Sequence, residues 1–189
     1  MASTNGRTDP VAPIRTTRFE LVSMSLAFMR LLQAREVAAA ADEIGAVIPA
    51  DLPDQLVGFL QYRIADLTLD PAAQPWLGRL IVLDGGGSRR GIGTVGFHSP
   101  PGPDGRVEIG YRVEADYRRQ GVATEVVRAM FDWAAREHGV TRFRASTVPG
   151  NVASQAVLAR FGFNQTGRHM DEIDGEELVF DLDGWSATT

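Results

Sequence analysis

The sequence predicts an α/β domain built on a mixed sheet, and three observations carry that expectation. Arg106 to Val113 alternates with period two, placing Val107, Ile109, Tyr111 and Val113 on one face and Arg106, Glu108, Gly110 and Arg112 on the other. Gly121 to His138 carries a helical stripe of Val122, Val126, Met130 and Trp133, closed by Gly139. Strand and helix patterns then interleave in the order βααβββαβαββ. With 189 residues, 44 % apolar and 23 % charged, the chain has single-domain size and can bury a core without disulfides or metals.

Residues 1–12 read as a disordered tail ended by Pro10 and Pro13, the domain as 13–184, and 185–189 as a second tail. Thr17 to Ser23 is the first strand, with Phe19 and Leu21 in alternation. Leu26 to Ala41 reads as one helix through Leu26, Met29, Leu32 and Val37, with Gly45 beyond. Asp54 to Leu67 is the second, in a region punctuated by Pro49, Pro53 and Pro71. Short strands over Arg79 to Leu83 and Ile92 to Phe97 flank the turn Asp84-Gly-Gly-Gly-Ser88. The loop Ser99 to Gly105 leads into Arg106 to Val113, and the long helix follows. Phe143 to Val148 is a strand and Asn151 to Phe161 a shorter helix stopped by Gly162. Phe163 to Leu182 reads as two strands around Asp174-Gly175.

Composition excludes several chemistries. With no cysteine there is no disulfide, thiolate metal site or cysteine nucleophile. All 19 basic residues are arginine, which removes Schiff-base chemistry and a P-loop lysine. A net charge of −5 speaks against a nucleic-acid coat. No apolar run approaches the roughly 18 residues of a membrane span, and the polar start lacks a secretory core. A cytoplasmic protein without membrane or nucleic-acid partners is expected. Gly91-Ile-Gly-Thr-Val-Gly96 matches a dinucleotide fingerprint in letters only, since Phe97-His-Ser-Pro-Pro follows instead of a helix. His98, His138 and His169 stand isolated, without metal or triad spacing, and read as surface residues. Phe28, Phe59 and Trp76 read as core. The run Asp171 to Glu177 reads as a solvated turn, or as an acidic rim attracting a cationic amine.

The informative stretch is Tyr117-Arg-Arg-Gln-Gly-Val-Ala-Thr124, between the alternating strand and the long helix. Gly121 lets backbone approach a ligand, and the first-turn N–H groups and helix dipole favour an anion such as pyrophosphate. Taken alone, the same letters also fit an ordinary loop with solvated arginines.

Glu108-Ile-Gly-Tyr-Arg-Val113, Arg118-Arg-Gln-Gly-Val-Ala123, Asn151-Val-Ala-Ser154 and Arg160-Phe-Gly-Phe163 together resemble the GNAT superfamily of acyl-CoA-dependent N-acyltransferases. Within it they look most like the RimJ/RimL-like ribosomal-protein N-terminal acetyltransferase type, over roughly Thr16 to Leu182. The resemblance implies a mixed, mostly antiparallel sheet with splayed central strands flanked by helices, acetyl-CoA as co-substrate and no metal. It implies that the backbone of Tyr111, Arg112 and Val113 pairs with the pantetheine arm. Arg118, Arg119, Gln120, Gly121, Val122, Ala123 and Thr124 would cradle the pyrophosphate. Asn151 would bond the pantetheine or its neighbouring strand, and Ser154 would sit near the thiol. Glu108 matches the carboxylate that takes the amine proton, with Gly110 leaving open space beside it. Many members carry a proton-donating tyrosine near the positions of Leu158 and Ala159; this chain has none in that helix, leaving Ser154 as the nearest hydroxyl. The implied activity is acetyl transfer from acetyl-CoA to a primary amine, on a protein N-terminus or a small molecule, by a monomer or homodimer. A non-catalytic acyl-CoA-binding or regulatory module is the alternative.

Overall fold

The computed structural model describes residues 11–171 and 175–187; most of the expected N-terminal tail, Asp174 at the last turn and residues 188–189 lie outside them. The elements are β1 (Ile14–Arg15), β2 (Phe19–Ser23), α1 (Leu26–Gln33), α2 (Val37–Ile44), α3 (Leu52–Gln55), α4 (Val57–Leu69), β3 (Arg79–Asp84), β4 (Arg89–Phe97), β5 (Arg106–Val113), α5 (Val122–His138), β6 (Arg142–Thr147), α6 (Val152–Phe161), β7 (Asn164–Asp171) and β8 (Gly175–Asp183). The strands form one eight-stranded sheet in the order β1-β2-β3-β4-β5-β6-β8-β7. Every neighbouring pair is antiparallel except β5 and β6.

Local chemistry explains where the elements begin and end. Ser25 caps α1, its hydroxyl accepting from the Phe28 N–H at 3.0 Å. The single helix expected over Leu26 to Ala41 is two, because Arg35 turns left-handed at φ 61° and ends the first before Val37 starts the second. The helix expected from Asp54 is likewise divided: Leu52–Gln55 forms one turn before α4 begins at Val57. Gly139, at φ 69°, closes α5 with its N–H directed to the Ala134 and Ala135 carbonyls. The glycines of Gly91 to Gly96 lie in a strand, not a phosphate loop. A Cβ at Gly93 would stand 2.2 Å from the Arg112 carbonyl oxygen, and one at Gly96 would stand 2.6 Å from that of Leu77.

Both faces of the sheet are covered. On one, Leu80 and Val82 pack with Met24, Phe28, Met29 and Leu60 from the helical front part. On the other, Ile81, Val95, Val107 and Ile109 pack with Val126, Met130 and Phe131 of α5 and Leu158 of α6. Phe28 and Trp76 are core, as their spacing suggests. Trp185, beyond the expected domain edge, packs against this second core; its indole N–H donates to Asp132 at 3.2 Å and its ring lies 5.5 Å from Phe131. Arg79 is fully buried, and burial lowers its pKa to about 10. Its guanidinium donates to the Ala12, Leu21 and Pro75 carbonyls and lies 5.3 Å from the Trp133 ring.

One discontinuity positions everything that follows. The parallel ladder pairs Arg106 with Arg142, Val107 with Phe143 and Glu108 with Arg144, and there it stops. A charge network pins the paired end. Arg144 grips both Asp181 oxygens at 2.9 and 3.1 Å, and Arg106 reaches Asp181 at 3.2 Å. Arg106 and Arg142 share Asp183, each at 3.0 Å. The hydrogen bonds from Arg144, helped by Thr166, hold the Asp181 carboxyl below its ordinary pKa.

Candidate active site

Beyond Glu108 the ladder parity decides what faces the gap. The His98 N–H bonds the Glu108 carbonyl at 2.8 Å, so the backbone groups of even-numbered β5 residues point to β4. Those of Ile109, Tyr111 and Val113 therefore face the side that β6 has left. The Val113 carbonyl is taken by Arg118 Nε at 2.9 Å, which ties the following loop to the strand. Tyr111 keeps the geometry of an edge strand ready for an extended partner.

The loop then enters α5. Arg119 and Gly121 both adopt positive φ, 60° and 77°, and Gly121 gives the helix no capping side chain. The N–H groups of Val122, Ala123 and Thr124 are thus left for an anion at the positive end of a 17-residue helix. A carboxylate in the first turn, Glu125, would oppose such a ligand, but it is drawn aside. It accepts from the Thr16 hydroxyl at 2.7 Å, the Arg18 N–H at 3.0 Å and Arg18 Nε at 2.7 Å. Burial alone would raise the Glu125 pKa; these hydrogen bonds hold it below its ordinary value. Arg18 also donates to the Gln120 carbonyl at 3.1 Å, bracing the loop from behind.

A cavity of about 910 Å³ runs between β5, this loop and α6. Tyr111, Arg112, Val113, Arg118, Arg119, Gly121, Val122, Ala123, Thr124, Asn151 and Ser154 all line it, so nearly every residue singled out for the cofactor meets there. Gln120 does not; its side chain turns back to the Asp116 carbonyl at 2.8 Å. Asn151 spends its Oδ1 on its own helix, accepting the Ser154 N–H at 3.1 Å, rather than on the neighbouring strand. The Tyr111 hydroxyl crosses from β5 to α6 and meets Ser154 Oγ at 2.9 Å. Burial raises the Tyr111 pKa, with Ser154 opposing.

Glu108 leaves the opposite face of β5 at the vertex of the split. Its Oε1 accepts from the Ser146 hydroxyl at 2.6 Å. The space expected beside it is filled: a Cβ at Gly110 would stand 3.0 Å from His98 Nε2, and His98 Nδ1 is 3.9 Å from the carboxylate. His98 is therefore a neighbour of Glu108, unlike His138, which packs on Trp76 and Trp133, and His169, which faces Glu177. Arg63 reaches the His98 carbonyl from α4. Desolvation lowers the His98 pKa, Glu108 pulling it up and Arg63 pushing it down. Sequence reading missed His98, Ser146 and Arg18. The letters did not fix the first: the Ser99 to Gly105 loop alone would set His98 opposite Arg106, whereas the observed pairing sets it opposite Glu108.

Comparison with known proteins agrees with this fold. Residues 24–164 match the model of the "Acetyltransferase (GNAT) domain" family. The chain is 34 % identical over 76 residues to the uncharacterized N-acetyltransferase YoaA of Bacillus subtilis (strain 168), covering 40 % of this chain and 43 % of that one. The matched stretches span about half the length of the curated relatives. A putative ribosomal-protein-serine acetyltransferase from Vibrio cholerae superposes with a TM-score of 0.63 at 19 % identity, covering 92 % of this chain and 98 % of that one. The microcin C7 self-immunity acetyltransferase MccE, solved with acetyl-CoA and AMP, gives 0.60 at 17 % identity over 88 % and 93 %. No described helix is long and apolar enough to cross a membrane.

Proposed function

We propose that this chain, which belongs to the GNAT acetyltransferase family, moves an acetyl group from acetyl-CoA to a primary amine. The observation that carries the reading is the split of β5 from β6 directly after Glu108. It opens a cavity lined by an unpaired strand edge and a helix N-terminus, and sets one carboxylate at its vertex. The first-turn N–H groups of α5, with Arg118 and Arg119, hold the pyrophosphate; the edge at Tyr111 holds the pantetheine arm. The thioester supplies an activated acetyl group there.

The acceptor enters from the Glu108 face, so amine and acyl carbon meet across the split from opposite sides of one strand. Glu108, fixed by Ser146, takes the proton from the amine directly or through one water. Free backbone N–H groups along the edge polarise the carbonyl oxygen, and holding both partners in one gap removes the entropy of their encounter. The chain has no cysteine, and the attack is direct. Likeness to a protein named a ribosomal-protein-serine acetyltransferase supports a protein N-terminus as acceptor, and a small amine fits the same chemistry. The enzyme so proposed is cytoplasmic and acts as a monomer or homodimer.

The test is release of free thiol from acetyl-CoA against a panel of peptide N-termini, polyamines and amino acids. Thiol release with at least one amine is the expected result. A melting shift with CoA but no release with any amine would make the chain a binding or regulatory module.

A further inference from the structure

The helix that would carry the usual proton-donating tyrosine has none, yet a phenol stands in the cavity from a different element. Tyr111 projects from β5, and its hydroxyl lies 2.9 Å from Ser154 Oγ on α6 and 3.4 Å from the Ser154 carbonyl, so the phenol joins the two walls. Both ends are held. The Tyr111 ring packs against the core of α5 and the sheet. Ser154 sits in the first turn of α6, its N–H fixed by Asn151 at 3.1 Å. We propose that the Tyr111 hydroxyl supplies, through Ser154, the proton taken up by the thiolate that leaves when the acetyl group is transferred.

This rests on the acetyl-transfer reading and adds the acid to it. As the amine nitrogen bonds to the acyl carbon and the carbon–sulfur bond breaks, the amine proton goes to Glu108. The sulfur takes the Ser154 Oγ proton while Tyr111 passes its own to Oγ, and the tyrosinate recovers a proton from solvent. A serine hydroxyl alone is too weak an acid for the task. A free phenol near 10 stands about 1.5 pKa units above an alkyl thiol near 8.5, far nearer than any alcohol, though burial widens that gap for Tyr111. Burial holds Tyr111 in its protonated, donating form at neutral pH. The charged side chains lining the same cavity are Arg112, Arg118, Arg119 and Arg160, and the hydroxyl's own partner is Ser154.

Tyr111 acts through Ser154, so the decisive readout is one that a merely structural hydroxyl would not move. Tyr111→Phe should lower kcat about tenfold to a hundredfold. It should change the CoA dissociation constant less than about threefold, and retain the CoA-induced melting shift as proof of folding. A fluorinated tyrosine at 111, equal in shape but more acidic, should bring an alkaline limb of kcat into range. That limb should lie lower than the wild-type limb by the difference between the two free phenols. Wild type that releases no thiol with any amine removes acetyl transfer and this role together. Wild type that turns over, with a Phe variant of equal kcat or an unmoved limb in the fluorinated protein, removes the role of Tyr111 alone.

Discussion

Replacing Glu108 by Gln separates catalysis from binding. At pH 7 an α-amine with a pKa near 8 is about one-tenth neutral, and a lysine-type amine near 10.4 is about 0.04 % neutral, so the acceptor arrives carrying the proton that must go. Losing a positioned base costs about 10²–10⁴ in rate, or about 2.7–5.5 kcal/mol of barrier. The structure says what the amide preserves. Its oxygen can still accept from the Ser146 hydroxyl, now at 2.6 Å, while standing 3.9 Å from His98 Nδ1 as Oε1 does now. The fold and the cofactor cavity on the other face of β5 should therefore be untouched. In a thiol-release assay at saturating acetyl-CoA, kcat should fall at least tenfold while the CoA melting shift stays within about 1 °C of wild type. Raising the pH should recover part of the rate, because more acceptor is then neutral without help. A variant that matches wild type at pH 7 would refute the role, and His98 would be the next group to replace.

Gly121→Asp puts a side chain and a negative charge at a φ of 77° in the loop that faces the anion. The shift of about 5–10 °C expected from CoA at 100 times its dissociation constant should vanish from differential scanning fluorimetry. Asp181→Asn should cost about 2–3 kcal/mol, read as a drop of about 5–10 °C, by leaving Arg106 and Arg144 short of a partner. Because Asp181 titrates below its ordinary value of 3.8, its contribution is present above that value and fades as pH falls through it; the Asn variant should lose that limb of acid unfolding. For His98 the sign is the same: a pKa below 6.5 means the unfolded chain binds the proton more readily, so stability declines as pH drops from 6.5, and His98→Gln should flatten the decline. Phe131→Ala removes a ring 4.0 Å from that of Phe143 and should cost about 3–5 kcal/mol in chemical denaturation.

Strand β5 and helix α5 were legible because each has a pattern only one geometry satisfies: strict alternation ending at Val113, and a stripe bounded by two left-handed glycines. The cavity followed from them, since neighbours in sequence around a strand–loop–helix corner stay neighbours in space. What failed to show was non-local or set by an unusual backbone angle. Arg35 at φ 61° breaks a continuous apolar stripe that no glycine marks. The two-residue strand at Ile14 and Arg15 is too short to alternate. Trp185 follows the last strand and finds Phe131 and Phe161 only after the sheet has closed. Gly110 looked like open space because nothing in the letters says whose ring lies above it. The Tyr111–Ser154 contact, 43 positions apart, depends on how α6 settles against the split.

The absence of lysine has a consequence for the proposed transfer of an acetyl group to an amine. Every ion pair formed by the clamp at Asp181 and Asp183, and the brace at Glu125, uses a guanidinium. Guanidinium is not a nucleophile at working pH, so these residues offer a thioester no side-chain amine to consume. The same composition makes the protein quiet to base. Where lysine-rich proteins shed charge near pH 10.4, Arg142 and Arg144 are held above the ordinary arginine value by their hydrogen bonds to Asp183 and Asp181, while the buried Arg79 is lowered to about 10. In alkaline solution the Arg142–Asp183 and Arg144–Asp181 pairs that pin β6 to β8 therefore persist where lysine pairs would come apart.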